Sequence, residues 1–197
     1  STGIHRIDQS TWRFVKPEKS QNKYCELWDM IDGQVSNVQE PVTISSVMDK
    51  LRIPPYGIKD GVLPLLLIAY YLSNKEELAL FENAHFSPFL TFEIAERILK
   101  KPHEFSLQRF NKNASHIGVL ETYQELLDDN SVDGSLSDRS PERVTLVSAA
   151  RSLAKFMMHL SEYAKSTQSV SQSTSKIREA FFTSKSPYRL MFIEIPK

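Results

Sequence analysis

Phosphate chemistry needs backbone N–H groups delivered by a glycine-rich loop at a helix start, usually with a lysine beside them. The nearest approach in this sequence is Tyr56-Gly57-Ile58-Lys59-Asp60-Gly61, a turn with two glycines that runs into an apolar stretch. It departs from the Walker A order, because Lys59 sits between the glycines and Val62-Leu63 stand where Lys and Ser/Thr belong. A structural turn is the reading that fits. Metal chemistry fares no better. His5, His85, His103, His116 and His159 are scattered, without a His-x3-His or His-Glu-x2-His pairing. Asp129, Asp133 and Gly134 match part of a calcium loop, but Ser140 replaces the closing glutamate. The single cysteine, Cys25, lies beside an apolar stripe and reads as packing rather than as a nucleophile. The sequence thus predicts no catalytic residue, no cofactor or metal ligand, and no enzyme activity in this chain.

The side chains left with a chemical use are cations. Lys50 and Arg52 precede the two-glycine turn and Lys59 lies within it, and Arg151, Lys155, Lys176 and Arg178 belong to a basic C-terminal region. These seven are the candidate contacts for a phosphate backbone or an acidic partner. Net charge does not favour nucleic acid, since 24 basic side chains meet 24 acidic ones. The zero hides an asymmetry: residues 118–142 sum to −6 and residues 143–197 to +6. Basic helices folding back on the acidic stretch would cancel both.

The elements that must position these groups follow from length and pattern. The 197 residues are 41% apolar and 24% charged, the composition of a globular protein with a real core. The longest apolar run, Val62 to Leu72, is interrupted by Pro64 and is too short for a membrane span. With one cysteine and no secretory pattern, the chain is expected to be cytoplasmic and free of the membrane.

Three domains are expected: an extended segment and a helix over 1–42, a compact middle over 43–110, and a helical region over 111–197. In the first, Tyr24, Leu27, Trp28, Ile31 and Val35 recur at helical steps over 18–35. In the middle, Thr43 or Ser45 caps a short helix stopped by Pro54-Pro55, and Val62 to Ser73 forms a central core helix. Leu78–Phe81 and Phe86–Leu90 read as paired strands, Thr91 caps a further helix, and Phe105, Leu107 and Arg109 give another strand. The order α-α-β-β-α-β makes the middle winged-helix-like. Beyond it come a helix over 114–128, an acidic loop near 128–140, one long helix from Pro141 to about Ala164, and a helix through Ile177 and Ala180. The fold class is α+β, predominantly helical.

Several stretches resemble, in order, large bacterial P-loop ATPases of phage-defence or conflict type. They begin with Thr2-Gly3-Ile4-His5 and Leu27-Trp28-Asp29-Met30-Ile31. The most specific is Pro54-Pro55-Tyr56-Gly57-Ile58-Lys59-Asp60-Gly61-Val62-Leu63-Pro64-Leu65-Leu66. Leu78-Ala79-Leu80-Phe81-Glu82, Pro102-His103-Glu104-Phe105 and Ser186-Pro187-Tyr188-Arg189-Leu190-Met191-Phe192 follow. The resemblance implies a C-terminal accessory region, with the nucleotide-binding domain N-terminal to it and this chain an excised fragment. None of the family's P-loop positions is present, so no catalytic role carries over.

Two functions are therefore expected. The first is a non-catalytic accessory or scaffolding region whose partners are the rest of a larger ATPase polypeptide or other proteins. The alternative is a nucleic-acid-binding module of winged-helix type. Its reader helix, Val62 to Leu72, offers no Arg, Asn or Gln to a base edge, so any DNA contact would go to phosphates.

Overall fold

The computed structural model describes residues 4–8, 11–18, 23–36, 40–110, 118, 120, 122, 123, 145–183 and 185–195. Its contacts group into two units, Ser1–Arg109 and Phe110–Lys197. The chain is a mixture of helices and small antiparallel sheets.

The first unit opens with a two-stranded ribbon. Strands β1 (His5–Asp8) and β2 (Thr11–Phe14) pair antiparallel, with His5 opposite Phe14 and Ile7 opposite Trp12. Helix α1 (Lys23–Ser36) then buries Leu27, Trp28, Ile31 and Val35, the three-and-four spacing of one helix face. A two-residue strand, β3 (Val42–Thr43), leads directly into α2 (Ile44–Arg52). The hydroxyl of Thr43 accepts from the Ser46 N–H, so Thr43 is the cap.

Ten residues turn the chain from α2 into α3 (Leu63–Ser73). Gly57 has φ +58 there, a left-handed conformation costly to any side chain with a Cβ. Pro64 fits the first turn of α3, where its missing N–H leaves no ladder bond unmade. Leu63, Leu66, Leu67, Tyr70 and Tyr71 are buried, whereas Leu65 is 57% exposed. The expected central core helix is buried on its core face and open to solvent at Leu65.

Strands β4 (Leu78–Glu82) and β5 (His85–Ser87) form a hairpin around Asn83-Ala84. Helix α4 (Phe92–Lys100) is capped by Thr91 and followed by a single turn at Pro102–Glu104 and strand β6 (Phe105–Arg109). The sheet order is β3-β6-β4-β5, all antiparallel. From α2 to β6 the element order is the α-α-β-β-α-β expected from sequence. One core joins it to the N-terminal segment: Ile4 and the α1 stripe pack in the same cluster as Leu51, Leu67, Leu80, Ile98 and Leu107.

In the second unit, the expected single helix running to Ala164 is two. Helix α5 (Leu146–His159) starts at a capping box in which Thr145 and Ser148 bond reciprocally. It stops because Leu160 takes an extended conformation, ψ 141, and the Ser161 hydroxyl caps α6 (Glu162–Ser166) by accepting from Ala164 N–H. The Lys165 ammonium bonds the Met158 carbonyl at 3.1 Å, supplying a donor to the broken end. Ser171 accepts from Thr174 N–H at the start of α7 (Gln172–Thr183). Pro187–Arg189 then runs into a wide turn, Leu190–Glu194. The expected acidic loop near 128–140, most of the 114–128 helix and the Pro141 helix start lie outside the described residues.

Candidate interaction surface

Three of the seven candidate cations lie in or beside the loop between α2 and α3. Tyr56 and Gly57 both donate backbone N–H groups to the Ile53 carbonyl at 3.2 Å, and Ile58 N–H reaches back to Leu51 O at 3.0 Å. The loop is therefore hydrogen-bonded to the end of the helix it leaves. Its far end is equally committed. Val62 and Leu63 N–H both bond the Lys59 carbonyl, at 2.9 and 3.3 Å, and Pro64 has no N–H to give. The start of α3 thus lacks the cluster of free donors that an anion site requires.

The cations around this loop are brought together at the C-terminal end of α2. Arg52 forms ion pairs with Asp49 and, at 2.5 Å, with Asp60, which holds the loop against the helix. Its hydrogen bond to Asp60 raises its already high pKa. Lys50 donates to the Gln34 side chain on α1. Lys59 is exposed and has no ion pair among the described residues. Beside these groups the surface is apolar. Ile53 is 59% exposed and Val62 50%, and Leu65 projects from the first turns of α3. Pro54 and Pro55, joined by a cis peptide, are also exposed.

The other four candidates belong to the second unit. Arg151 and Lys155 lie four residues apart on α5, the first half-buried and the second exposed. Lys176 is exposed on α7. Arg178 is half-buried and donates to the Ala164 carbonyl at 3.1 Å, closing the end of α6.

One polar cluster was not anticipated. Arg109, at the end of β6, donates to Asp32 on α1 at 2.5 Å and to Glu77 before β4 at 2.9 Å. The same guanidinium reaches the Tyr70 hydroxyl at 3.0 Å and Asn74 at 3.2 Å. Tyr70 in turn donates to Asp32 at 2.7 Å, and its ring meets Trp28 edge-on at 5.6 Å. Burial, helped by the Asp32 hydrogen bond, pushes the phenol well above its ordinary ionisation range. This cluster ties α1, α3 and β6 together. Its members are committed to one another, as in a structural clasp.

Elsewhere the first unit holds a small apolar cavity of about 10 Å³ lined by Leu67, Tyr71, Leu80, Ile98 and neighbours in the core. Among the described residues no group of three or more His, Cys, Asp or Glu side chains is placed to hold a metal. Among them, too, no helix is long and apolar enough to cross a membrane. No family model, curated protein or solved structure matches the chain.

Proposed function

We propose that the chain is a non-catalytic protein-interaction region whose first unit is a winged-helix-like module, and that its setting is the larger P-loop ATPase its motifs resemble. The module reading is supported by topology. The order α1-β3-α2-α3-β4-β6, with β3 and β4 both pairing to β6, is compatible with a helix-turn-helix backed by a three-stranded sheet. The hairpin strand β5 and helix α4 are an insertion between its last two strands.

The observation that carries the functional choice is the exposed character of α3. A DNA reader places polar or basic side chains at the first turns of this helix. Here those turns present Val62 and Leu65 to solvent, with Ile53, Pro54 and Pro55 alongside. Arg52 is neutralised by two carboxylates that would also repel a phosphate backbone. A surface of this kind suits an apolar protein segment better than a duplex.

The test has two arms on one surface. A photo-crosslinking residue at position 65 should give adducts to a defined protein segment when placed in the full-length protein. Duplex DNA should show no electrophoretic shift at about 50 mM or about 200 mM salt. A duplex shift that weakens with salt and disappears in Lys59→Glu would replace the scaffold by the nucleic-acid reading.

A further inference from the structure

Helix α3 carries no charged residue, from Val62 at its cap to Ser73 at its end. A helix apolar on every side is one that something covers on every side. Leu63, Leu66, Leu67, Tyr70 and Tyr71 are buried in the core, and Ile68 lines the small cavity together with Leu90 and Ile98. The remaining side chains, Val62, Leu65, Ala69 and Leu72, are spaced three, four and three, the seam by which one helix packs on another. Val62 is 50% exposed and Leu65 57%, and Ala69 and Leu72 are half-buried.

Two properties of this seam name its occupant. Charges along the edges of a seam select a foreign partner, and α3 has none to offer. The seam also complements itself when reversed. With a second copy laid antiparallel about a two-fold axis beside Leu67, Val62 falls opposite Leu72 of that copy and Leu65 opposite its Ala69. Every layer then sets a larger side chain against a smaller one, as close packing requires. A parallel pair would stack Leu65 on Leu65 and Ala69 on Ala69, bulk on bulk and gap on gap, with the helix dipoles aligned. We propose that α3 joins two copies of this chain in an antiparallel homodimer. The inference rests on the protein-interaction reading of the same surface and names its partner. A two-fold contact of this kind closes on itself, so it makes a dimer and nothing larger. The seam is about 15 Å long. Ile53, Pro54 and Pro55, exposed beyond its start, extend it toward the about 800 Å² that each partner contributes to a stable interface. A contact of this size suits dissociation in about the micromolar range.

The test is sedimentation equilibrium of the whole chain from about 1 to about 200 μM, where a monomer–dimer equilibrium is expected. Leu65→Glu would bury a carboxylate in each half of the contact and should weaken the dimer about ten-fold or more. Because Leu65 is largely in solvent within one copy, the substitution should leave the monomer folded, as circular dichroism would show. Disulfide formation reads the orientation. In the antiparallel pair Val62 lies about 15 Å along the axis from Val62 of the other copy, beyond the about 7 Å that a disulfide spans between Cα atoms. Val62→Cys alone and Leu72→Cys alone should therefore give no covalent dimer on oxidation, whereas a mixture of the two variants should. The native Cys25 is buried and stays out of the exchange. The proposal is overturned by a monomer at the highest concentration or by undiminished dimerisation of Leu65→Glu. It is equally overturned if each cysteine variant crosslinks to itself as readily as in the mixture. A monomeric chain whose crosslinker at position 65 captures a defined segment of another protein would overturn the dimer and leave the interaction reading standing. A monomeric chain that captures nothing would overturn both.

Discussion

Among individual residues, Arg109 does most to join distant parts of the first unit. It bonds Asp32, which is 77 positions away in sequence, as well as Tyr70 and Glu77. Its side chain is 11% exposed, whereas that of Asp32 is 42% exposed and partly screened by water. Arg109→Met should cost about 2 kcal/mol, less than a fully buried pair, because it leaves Tyr70 and two carboxylates short of a donor. Denaturant titration reads this directly. Tyr70 adds a pH signature. In the unfolded chain a tyrosine ionises near pH 10, but the folded phenol holds its proton to higher pH. The unfolded state therefore loses this proton first, so the contribution is intact below about pH 10 and is lost as pH rises beyond it. Tyr70→Phe should flatten the alkaline fall in stability, and an unchanged fall would show that Tyr70 is not its source. None of this was legible in the sequence. Arg109 appeared there only as the end of a strand, and its partners lie on elements whose pairing local pattern does not reveal.

At the scale of elements, local chemistry was readable and pairing was not. Thr43, Thr91 and Pro64 mark helix starts by mechanisms that act within one turn, and the structure uses all three. The apolar run Leu78–Phe81 and the turn residues that separate it from Phe86 located β4 and β5 for the same reason. The sheet order β3-β6-β4-β5 depends on contacts across tens of residues, and β1 and β2 are too short for alternation to announce them. The break at Leu160-Ser161 was hidden because the apolar stripe of α5 continues past it, while the Ser161 cap outweighs that continuity. Turn conformation gives a paired prediction. Asn83 and Ala84 have φ of 49 and 63, the left-handed pair of a two-residue hairpin loop, and Ala84 carries a Cβ in that region. Ala84→Gly should stabilise the protein by about 0.5–1 kcal/mol. Gly57→Ala should do the reverse by about 1 kcal/mol, since nothing lies within 4 Å of its would-be Cβ and only the backbone strain at φ +58 opposes it. Melting temperatures moving in opposite directions would bear out both.

For the whole molecule, nucleotide handling is the property the resemblance to ATPases makes most pressing. Six glycines in 197 residues leave little material for a phosphate-cradling loop. At the two-glycine turn, the nearest approach to such a loop in the sequence, backbone donors are already in use. Gly57 spends its N–H on Ile53 O, and the N–H groups of Val62 and Leu63 are both taken by Lys59 O. Pro64 has none, so a phosphate arriving at the start of α3 would have to displace bonds already made. Asp60 and Asp49, drawn in by Arg52, would meet it with negative charge. Titration calorimetry with ATP and magnesium should therefore show no saturable binding in the micromolar range, and phosphate release should not exceed the buffer control. A micromolar isotherm that survives Lys59→Ala would locate a nucleotide site away from this loop. One abolished by that substitution would mean that the loop reopens its backbone bonds when the nucleotide arrives.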